Sequence, residues 1–254
     1  EEALRTLPMV NSGVEITRVE VWVTNTRSDY TNNRNVIGFT DLGENADADA
    51  VAGNKVSAQL FGGGGFTDAP GALPGNAANS LYATVGAMGG PVRGFSQAAE
   101  ALQGLGMLSA IHFEKLESAR MLTANEFTVN TRLGFIGLNQ NLNNDEVLAV
   151  AFQYTLNGQT FQVGDFSTDI TSTSNALVLR LLKATITNPR IPLWDLMMKN
   201  VYSLGAFQVN QQDFRLNLIY NNPSTGVDIN YMPRPPLDQI PLQQALGLDR
   251  LDPQ

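Results

Sequence analysis

His112 is the single histidine of the chain, and cysteine is absent. A Ser-His-Asp arrangement would therefore have to use His112, and a cysteine nucleophile is excluded. His112 lies between Ile111 and Phe113 in a leucine-rich stretch, which favours a packed or surface histidine over a catalytic one. A histidine-based zinc site would need more ligands of the right kind than the sequence contains. We therefore assign no catalytic residue and predict that the chain is not an enzyme.

Carboxylates are the other residues that could do chemistry, as oxygen ligands for Ca²⁺. The larger group lies in "DLGENADADA" and consists of Asp41, Glu44, Asp47 and Asp49. Alanines interrupt it and the glycine and final glutamate of an EF-hand are misplaced, so a solvated acidic loop is favoured. A weaker candidate in "GDFSTD" consists of Asp165 and Asp169. We predict no bound metal and no cofactor.

The string "FGGGGF" has the glycines of a phosphate-binding loop but lacks the Gly-Lys-Ser/Thr continuation. A flexible connector is the better interpretation, because glycine loses the most backbone entropy when it is ordered. As a candidate mobile loop that contacts a partner, we select Phe61, Gly62, Gly63, Gly64, Gly65 and Phe66.

The composition narrows the class of protein. The chain has 254 residues, a net charge of −8 and a sequence pI near 4.6, so a phosphate backbone would be repelled and nucleic-acid binding is disfavoured. No run approaches the roughly 18 apolar residues of a membrane-spanning helix, and no signal peptide is visible. The chain opens on Glu1-Glu2 without a methionine and stops at "LDRLDPQ", so we take it as part of a longer protein.

The elements that would position these residues follow from the local patterns. Residues 1–42 alternate and predict an antiparallel strand pair, whereas the Gly/Ala-rich stretch 43–94 predicts a long mobile loop with a helical turn near 79–85. Residues 95–122 have helical spacing, with Ser96 as N-cap and a break at Gly104 and Gly106. Further along, we predict strands over 125–182, a helix over 191–206, a hairpin around "NNPSTG" and a short final helix.

The clearest element is the hairpin "NNDEVLAVAFQYTLNGQTFQVG". Asn157-Gly158 favours a type I′ turn, which pairs Leu156 with Gln159 and Phe152 with Val163. The second arm has only five residues, too few to cross a membrane. Ala149 and Ala151 share one face of the first arm, which predicts close packing over them. We interpret the hairpin as part of a soluble sheet, not of a transmembrane barrel.

Together these patterns predict an α+β fold in which antiparallel sheet predominates, β-sandwich-like, with a few short helices. We predict one soluble insert domain over residues 1–254, with a mobile loop at 43–94 that the surrounding protein orders.

Several long strings resemble one protein family. They are "NEFTVNTRLGFIGLNQNLNNDEVLAVAFQYTLNGQTFQVGDFS", "NALVLRLLK", "PLWDLMMKNVYSLGAFQVNQQDFRLNLIY" and "LDRLDPQ", with "VEVWVTNTRSDYTNNRNVIGFTDLGE" nearer the start. All are similar to the SprA/Sov family, the giant outer-membrane translocons of the type IX secretion system of Bacteroidota, which is linked to gliding motility in some species. The resemblance covers most of residues 120–254, while 43–94 has no such counterpart.

The resemblance implies a non-catalytic structural or gating domain, a cap or lining of a channel that passes folded cargo proteins. The implied partners are the rest of the translocon barrel, a PorV-type outer-membrane protein, a plug protein and cargo with a C-terminal sorting domain. The implied location is the outer membrane, with the extracellular face placed ahead of the periplasmic one. The alternative is a cell-surface binding or adhesin-like β module, for which Trp22, Trp194 or the tyrosines would form an exposed flat platform.

Overall fold

The computed structural model describes residues 12–27, 30–42, 73–189, 193–198, 210, 212 and 215–248. Contacts separate the chain into two compact units, Gly13–Lys199 and the combination of Glu1–Ser12 with Asn200–Gln254. The sequence predicts one domain over 1–254, whereas the contacts define two units. That the chain is an insert of a larger protein stays a prediction.

The larger unit contains eight described strands and four described helices. Its strands are β1 Glu15–Val23, β2 Asn33–Phe39, β3 Phe113–Met121, β4 Phe127–Asn130, β5 Phe135–Leu138, β6 Leu148–Leu156, β7 Gln159–Val163 and β8 Leu177–Lys183. Its helices are α1 Leu81–Met88, α2 Gly90–Arg93, α3 Ala98–Gly104 and α4 Leu193–Leu196. The predicted predominance of β structure with a few short helices is confirmed.

Five of these strands form a sheet that closes on itself. The order is β1-β3-β2-β8-β6, and β6 pairs again with β1 along its whole length. All neighbours are antiparallel except β2 and β8, which are parallel. This closure corrects the β-sandwich expectation. The last strand of the order, β6, pairs with β8 along one edge and with the first strand, β1, along the other, so these five strands form one closed sheet instead of two stacked sheets. The predicted pairing of the first two strands is also wrong, since β3 lies between β1 and β2.

The hairpin β6–β7 has the register that the sequence predicts, from Phe152 opposite Val163 to Leu156 opposite Gln159. Asn157 and Gly158 have φ of 52° and 79°. Positive φ at both central residues is the geometry of a type I′ turn, whose twist matches that of the strands. One edge of β6 has two partners. Its first three residues pair with β8, and its residues from Phe152 onward pair with β7.

The interior of the closed sheet is filled by large and small side chains in alternation. Ala149 and Ala151 are fully buried and point inward, as their spacing predicts. Leu181 lies so close to Gly38 that a Cβ there would be 2.3 Å from it. Other inward residues include Trp22, Val36, Leu116, Ala119, Phe166, Leu177 and Leu179. Five strands enclose a narrow space, and small residues on some strands make room for indole and leucine side chains on others.

One outer face of the sheet is covered by the helices α1–α3. Leu81, Val85 and Val92 are buried there against Phe39 and Val178. The predicted helical turn near 79–85 coincides with the first part of α1, whereas the end of α1 and the whole of α2 lie where the glycine-rich composition predicts a loop. Tertiary burial of a few apolar side chains outweighs the poor helix propensity of the flanking glycines.

Residues 107–121 do not continue the predicted helix. A turn at Gly106, with φ of 84°, leads into β3, and the N-cap of α3 is Gln97, not Ser96. In β3, Glu117 and Ser118 together oppose Asn35, and Ser118 has φ of 49° and donates its N–H to the Asn35 side chain. This bulge sets Leu116 and Ala119 on one face at a spacing of three, which imitates a helical pattern.

The other outer face is covered by the small sheet of β4 and β5. Its apolar residues pack on Val21, Val23 and Leu148, on the outside of the closed sheet. Outside this unit, the described part of the smaller unit has the predicted hairpin, β9 Tyr220–Asn221 with β10 Asp228–Ile229, and the predicted short helix, α5 Leu242–Ala245.

Within the ranges that the structure describes, no helix is both long enough and apolar enough to cross a bilayer.

Candidate functional site

His112 is a packed histidine. It is 5% exposed, and its Nδ1 accepts a hydrogen bond of 2.9 Å from the Leu108 N–H. Burial lowers the pKa of its imidazole. At neutral pH the ring is therefore uncharged and closes the turn before β3, which agrees with the non-catalytic interpretation of this residue.

The predicted calcium ligands are only partly described. Asp41 is 4% exposed and interacts electrostatically with Arg180. Burial lowers the pKa of Arg180 to about 10, and the negative charge of Asp41 partly opposes that change. Glu44, Asp47, Asp49 and the candidate contact loop from Phe61 to Phe66 lie outside the described residues. Among the described residues, no group of three or more acidic or histidine side chains is placed to hold a metal ion.

Asp165 lies at the centre of a buried polar network instead of an exposed ligand group. It is 1% exposed, and its carboxylate accepts hydrogen bonds from the Arg93 guanidinium, the Tyr82 hydroxyl and the Val178 N–H. Arg93 also donates to the Ala176 carbonyl at 3.1 Å. The network joins helices α1 and α2 to strand β8, and Asp169 remains at the surface, where it accepts a hydrogen bond from Gln162.

Asp165 shifts the pKa of its two partner side chains upward. Burial, then the charge of Asp165 and its hydrogen bond, raise the pKa of Tyr82 to about 12. Burial lowers the pKa of Arg93, but the hydrogen bond and charge of Asp165 outweigh it and the net change is upward. Because the carboxylate is buried and bonded to groups of α1, α2 and β8, the network is a structural brace.

A second polar group lines an open cleft of about 200 Å³ between the β4–β5 sheet and the ends of β1 and β3. Its apolar lining continues the outer core and consists of Val23, Leu122, Leu138 and Leu142. Its polar lining consists of Thr26, Arg27, Arg120, Glu126, Gln140, Asn141, Asn143 and Glu146. The lining thus combines aliphatic, carboxamide and charged side chains, with two arginines and two glutamates.

Glu126 is the electrostatic centre of the cleft. Arg120 donates one guanidinium nitrogen to both of its carboxylate oxygens, at 2.9 and 2.8 Å, and the Thr123 N–H donates at 2.9 Å. These hydrogen bonds lower the pKa of Glu126 to about 2, and the bond from Arg120 has the largest effect. Arg27 is a second cation beside the same carboxylate, 3.6 Å away, with 53% of its side chain exposed. One carboxylate therefore faces two guanidinium groups.

Glu146 is the second carboxylate that lines the cleft. Its two oxygens accept hydrogen bonds from the Thr26 hydroxyl at 3.0 Å and from the Asn143 N–H at 2.6 Å. Between the two glutamates runs the polar stretch "NQNLNN", and Gln140 accepts a hydrogen bond from Arg27. Carboxamides offer a donor and an acceptor side by side, so this stretch can pair with other polar groups.

The sequence does not identify either group of residues. Arg93 and Asp165 are 72 positions apart, and Thr26 and Glu146, which both line the cleft, are 120 positions apart. The only local signal is the density of Asn and Gln between 139 and 144, which the sequence marks as a loop. The closed sheet brings the rest together.

The two tryptophans do not form a platform. Trp22 is 1% exposed and lies inside the closed sheet, and Trp194 in α4 is partly buried beside Leu193 and Met197. The cavity next to Trp194 has only about 10 Å³, enough for a single water molecule.

Comparison with known proteins adds no relative: no family model matches the chain, and no curated protein matches it.

Proposed function

We propose that the chain is a non-catalytic structural and gating domain, a cap or lining, of an outer-membrane translocon of the type IX secretion system. One observation carries the proposal. The longest string that resembles the SprA/Sov family, over 125–167, together with the string over 175–183, contains strands β4 to β8. The resemblance thus falls on strands that build two of the five positions around the closed sheet, β6 and β8, and on its outer cover, and not on loops alone.

The physical properties of the larger unit suit that role. Closure of the sheet pairs strand edges that would otherwise be open to other chains. The buried Arg93–Asp165–Tyr82 brace fixes the helical layer to β8. A domain beside a channel must keep its shape while folded proteins pass it. A closed sheet with a buried polar brace is rigid enough for that role.

In this proposal the domain acts beside the rest of the translocon barrel, a PorV-type protein, a plug protein and cargo with a C-terminal sorting domain. Its place is the outer membrane, on the extracellular face. The tryptophans give an adhesin-like binding module little support, because Trp22 is buried inside the sheet and Trp194 is partly buried, whereas among the tyrosines Tyr30 is 65% exposed.

The test is made in the intact protein in cells. Residues 13–199 are replaced by a Gly-Ser linker, and the amount of barrel in the outer membrane is measured as the control. We expect cargo export to fall, or the outer membrane to become permeable to large solutes, at an unchanged barrel level. Normal export with a normal permeability barrier would overturn the proposal.

The absence of cysteine gives a direct test of the location. Arg132→Cys places one thiol at the exposed turn between β4 and β5. A membrane-impermeant maleimide added to whole cells should label it if the domain lies on the extracellular face. Labelling that needs outer-membrane permeabilisation would place the domain in the periplasm.

A further inference from the structure

The turn between α3 and β3, residues 105–112, is closed by a titratable side chain that the proposed function does not use. The Leu108 N–H donates to Nδ1 of His112 at 2.9 Å, and the His112 N–H donates to the Leu108 carbonyl at 2.9 Å. A backbone N–H can only donate, so Nδ1 must present its lone pair and the proton of the neutral ring lies on Nε2. The direction of this hydrogen bond therefore requires one tautomer of a neutral ring.

An imidazolium does not fit this turn. Both of its ring nitrogens carry a proton, so Nδ1–H would face the Leu108 N–H, donor against donor. Burial adds to the effect, because it disfavours the charged ring and lowers the pKa of His112. Protonation thus converts the bond that closes the turn into a repulsive contact, which is relieved when the turn opens.

The charged side chains near this turn have other partners or face solvent. Those closest to it along β2, β3, β8 and α3 are Asp41, Glu100, Glu114, Lys115 and Arg180. Glu114 accepts hydrogen bonds from the N–H and the hydroxyl of Thr185, at 2.9 and 2.8 Å. Lys115 lies over the Phe95 ring, Asp41 interacts with Arg180, and Glu100 is exposed. Among the described residues, no charge therefore offsets the effect of burial on the imidazole.

The turn anchors one end of the helical layer. Met107 is 1% exposed and lies with Leu102 of α3 in the core that the helices share with the closed sheet. Ala110 has φ of 64°, an unfavourable conformation for a residue with a Cβ, so the backbone of the turn needs the bonds that close it. Opening would withdraw Met107 from the core, while the bond of Arg93 to Asp165 would still hold α2.

We propose that this turn is an acid-sensitive switch, in which protonation of His112 at Nδ1 opens residues 105–112 and releases the α3 end of the helical layer from the closed sheet. The switch is shut while the ring is neutral. Because burial sets the pKa of the closed state below the ordinary 6.5, the open turn takes up the proton first as the pH falls. The stabilisation is complete above pH 6.5 and is lost as the pH falls through the lower pKa of the closed state. The inference rests on this turn and is independent of the secretion role.

The experiment follows the ¹⁵N-labelled 254-residue chain by NMR between pH 7.5 and 4.5. His112 is the single histidine, so the ring nitrogen signals report its tautomer and protonation without ambiguity. Hydrogen exchange of the Leu108 amide, corrected for the intrinsic effect of pH, reports opening of the turn. We expect a neutral ring with its proton on Nε2 at pH 7.5, and a fall in Leu108 protection of about tenfold or more as the ring becomes protonated.

Two variants separate the acceptor from its titration. In His112→Asn the carboxamide oxygen can accept the Leu108 N–H but does not titrate, so Leu108 protection should stay within about twofold over the whole pH range. His112→Phe keeps a ring without an acceptor and should show low Leu108 protection at every pH. If His112→Phe does not fold, the comparison of wild type with His112→Asn still decides. The amides of Tyr154 and Phe161 in the β6–β7 hairpin are the internal control and should keep their protection.

Three results would overturn the switch. The first is a ring that stays neutral down to pH 4.5, or a protonated ring with unchanged Leu108 protection. The second is the same pH dependence in His112→Asn, since other groups would then cause the opening. The third is an equal loss of protection at Tyr154 and Phe161, which would mean acid unfolding of the whole unit instead of the opening of one turn.

Discussion

Two arginine–carboxylate groups in the larger unit use the same chemistry in opposite ways. Arg93 and Asp165 are 12% and 1% exposed in their side chains, and the carboxylate accepts hydrogen bonds from Arg93, Tyr82 and the Val178 N–H. Arg27 is 53% exposed and touches Glu126 only at 3.6 Å. A buried pair loses much stability when one partner is removed, whereas an exposed pair loses little. Burial, not residue type, separates a brace from a surface pair.

The largest expected effect is that of Asp165→Asn, which keeps the shape of the side chain and leaves the Arg93 guanidinium buried without its counter-charge. We expect the free energy of unfolding to fall by about 3–5 kcal/mol. Urea denaturation measures this, with Asp169→Asn as the exposed control and an expected change within about 0.5 kcal/mol. Equal effects of the two variants would abolish the distinction between brace and surface.

The same variant has a second readout in Tyr82, provided that it folds. Burial and Asp165 together raise the pKa of Tyr82 to about 12. Loss of the negative charge should lower this pKa toward the ordinary value near 10, leaving only the contribution of burial. NMR titration of ¹³C-labelled tyrosine in folded protein would show it, and a pKa that stays near 12 would mean that burial alone accounts for the shift.

Glu126→Gln should have an intermediate effect, because the carboxylate is paired but lies at the edge of the cleft. We expect a loss of about 1–2 kcal/mol at pH 7. The pKa of Glu126 is about 2 in the folded protein and 4.5 when unperturbed, so its stabilisation is present above pH 4.5 and is lost as the pH falls toward 2.

The measurement compares unfolding free energies of wild type and Glu126→Gln between pH 2.5 and 7. The two curves should converge as the pH falls, since other carboxylates titrate equally in both proteins. Parallel curves would show that the Arg120–Glu126 pair contributes no pH-dependent stability.

The turn between β6 and β7 contains no charged residue, so its replacement gives a stability change with which the charge substitutions can be compared. Replacing Asn157-Gly158 by Ala-Ala puts two residues that disfavour positive φ at 52° and 79°, and should cost about 1 kcal/mol or more. Urea denaturation is the measurement. An unchanged midpoint would mean that the hairpin register is held by β1 and β8 and not by its turn.

The smallest effect on stability is expected for Arg27→Gln. More than half of the side chain is exposed, so the loss should be below about 0.5 kcal/mol. Thermal unfolding beside Arg132→Gln provides the control. A loss above about 1.5 kcal/mol would make Arg27 a structural residue and remove the contrast with Arg93.

Local patterns predict those parts of the fold whose geometry is set by neighbours in sequence. The β6–β7 register follows from Asn157-Gly158, and the burial of Ala149 and Ala151 follows from their alternation with larger residues. Local patterns fail where an irregularity or a distant partner decides. The bulge at Ser118 gives β3 a helix-like spacing, and α1 forms between glycines because Leu81 and Val85 find a core.

The candidate cleft could not be predicted, since its residues come from three separate stretches of the chain. Glu126 and Arg120 are six positions apart and could be suspected as a pair, but Arg27 joins them only because β1 ends beside β3. Asp165 illustrates the reverse case. The sequence offers it only as a weak calcium-ligand candidate, whereas the packing of α1 and α2 against β8 makes it the most buried carboxylate of the described residues.

The sequence by itself determined the β-rich class and the type I′ hairpin with its register, because these depend on residues within a few positions of each other. Only the tertiary structure decided that the sheet closes on itself, that β2 runs parallel to β8, and that one arginine braces the core while another faces solvent. Those outcomes depend on contacts between residues tens to more than a hundred positions apart, whose free energies no local pattern records.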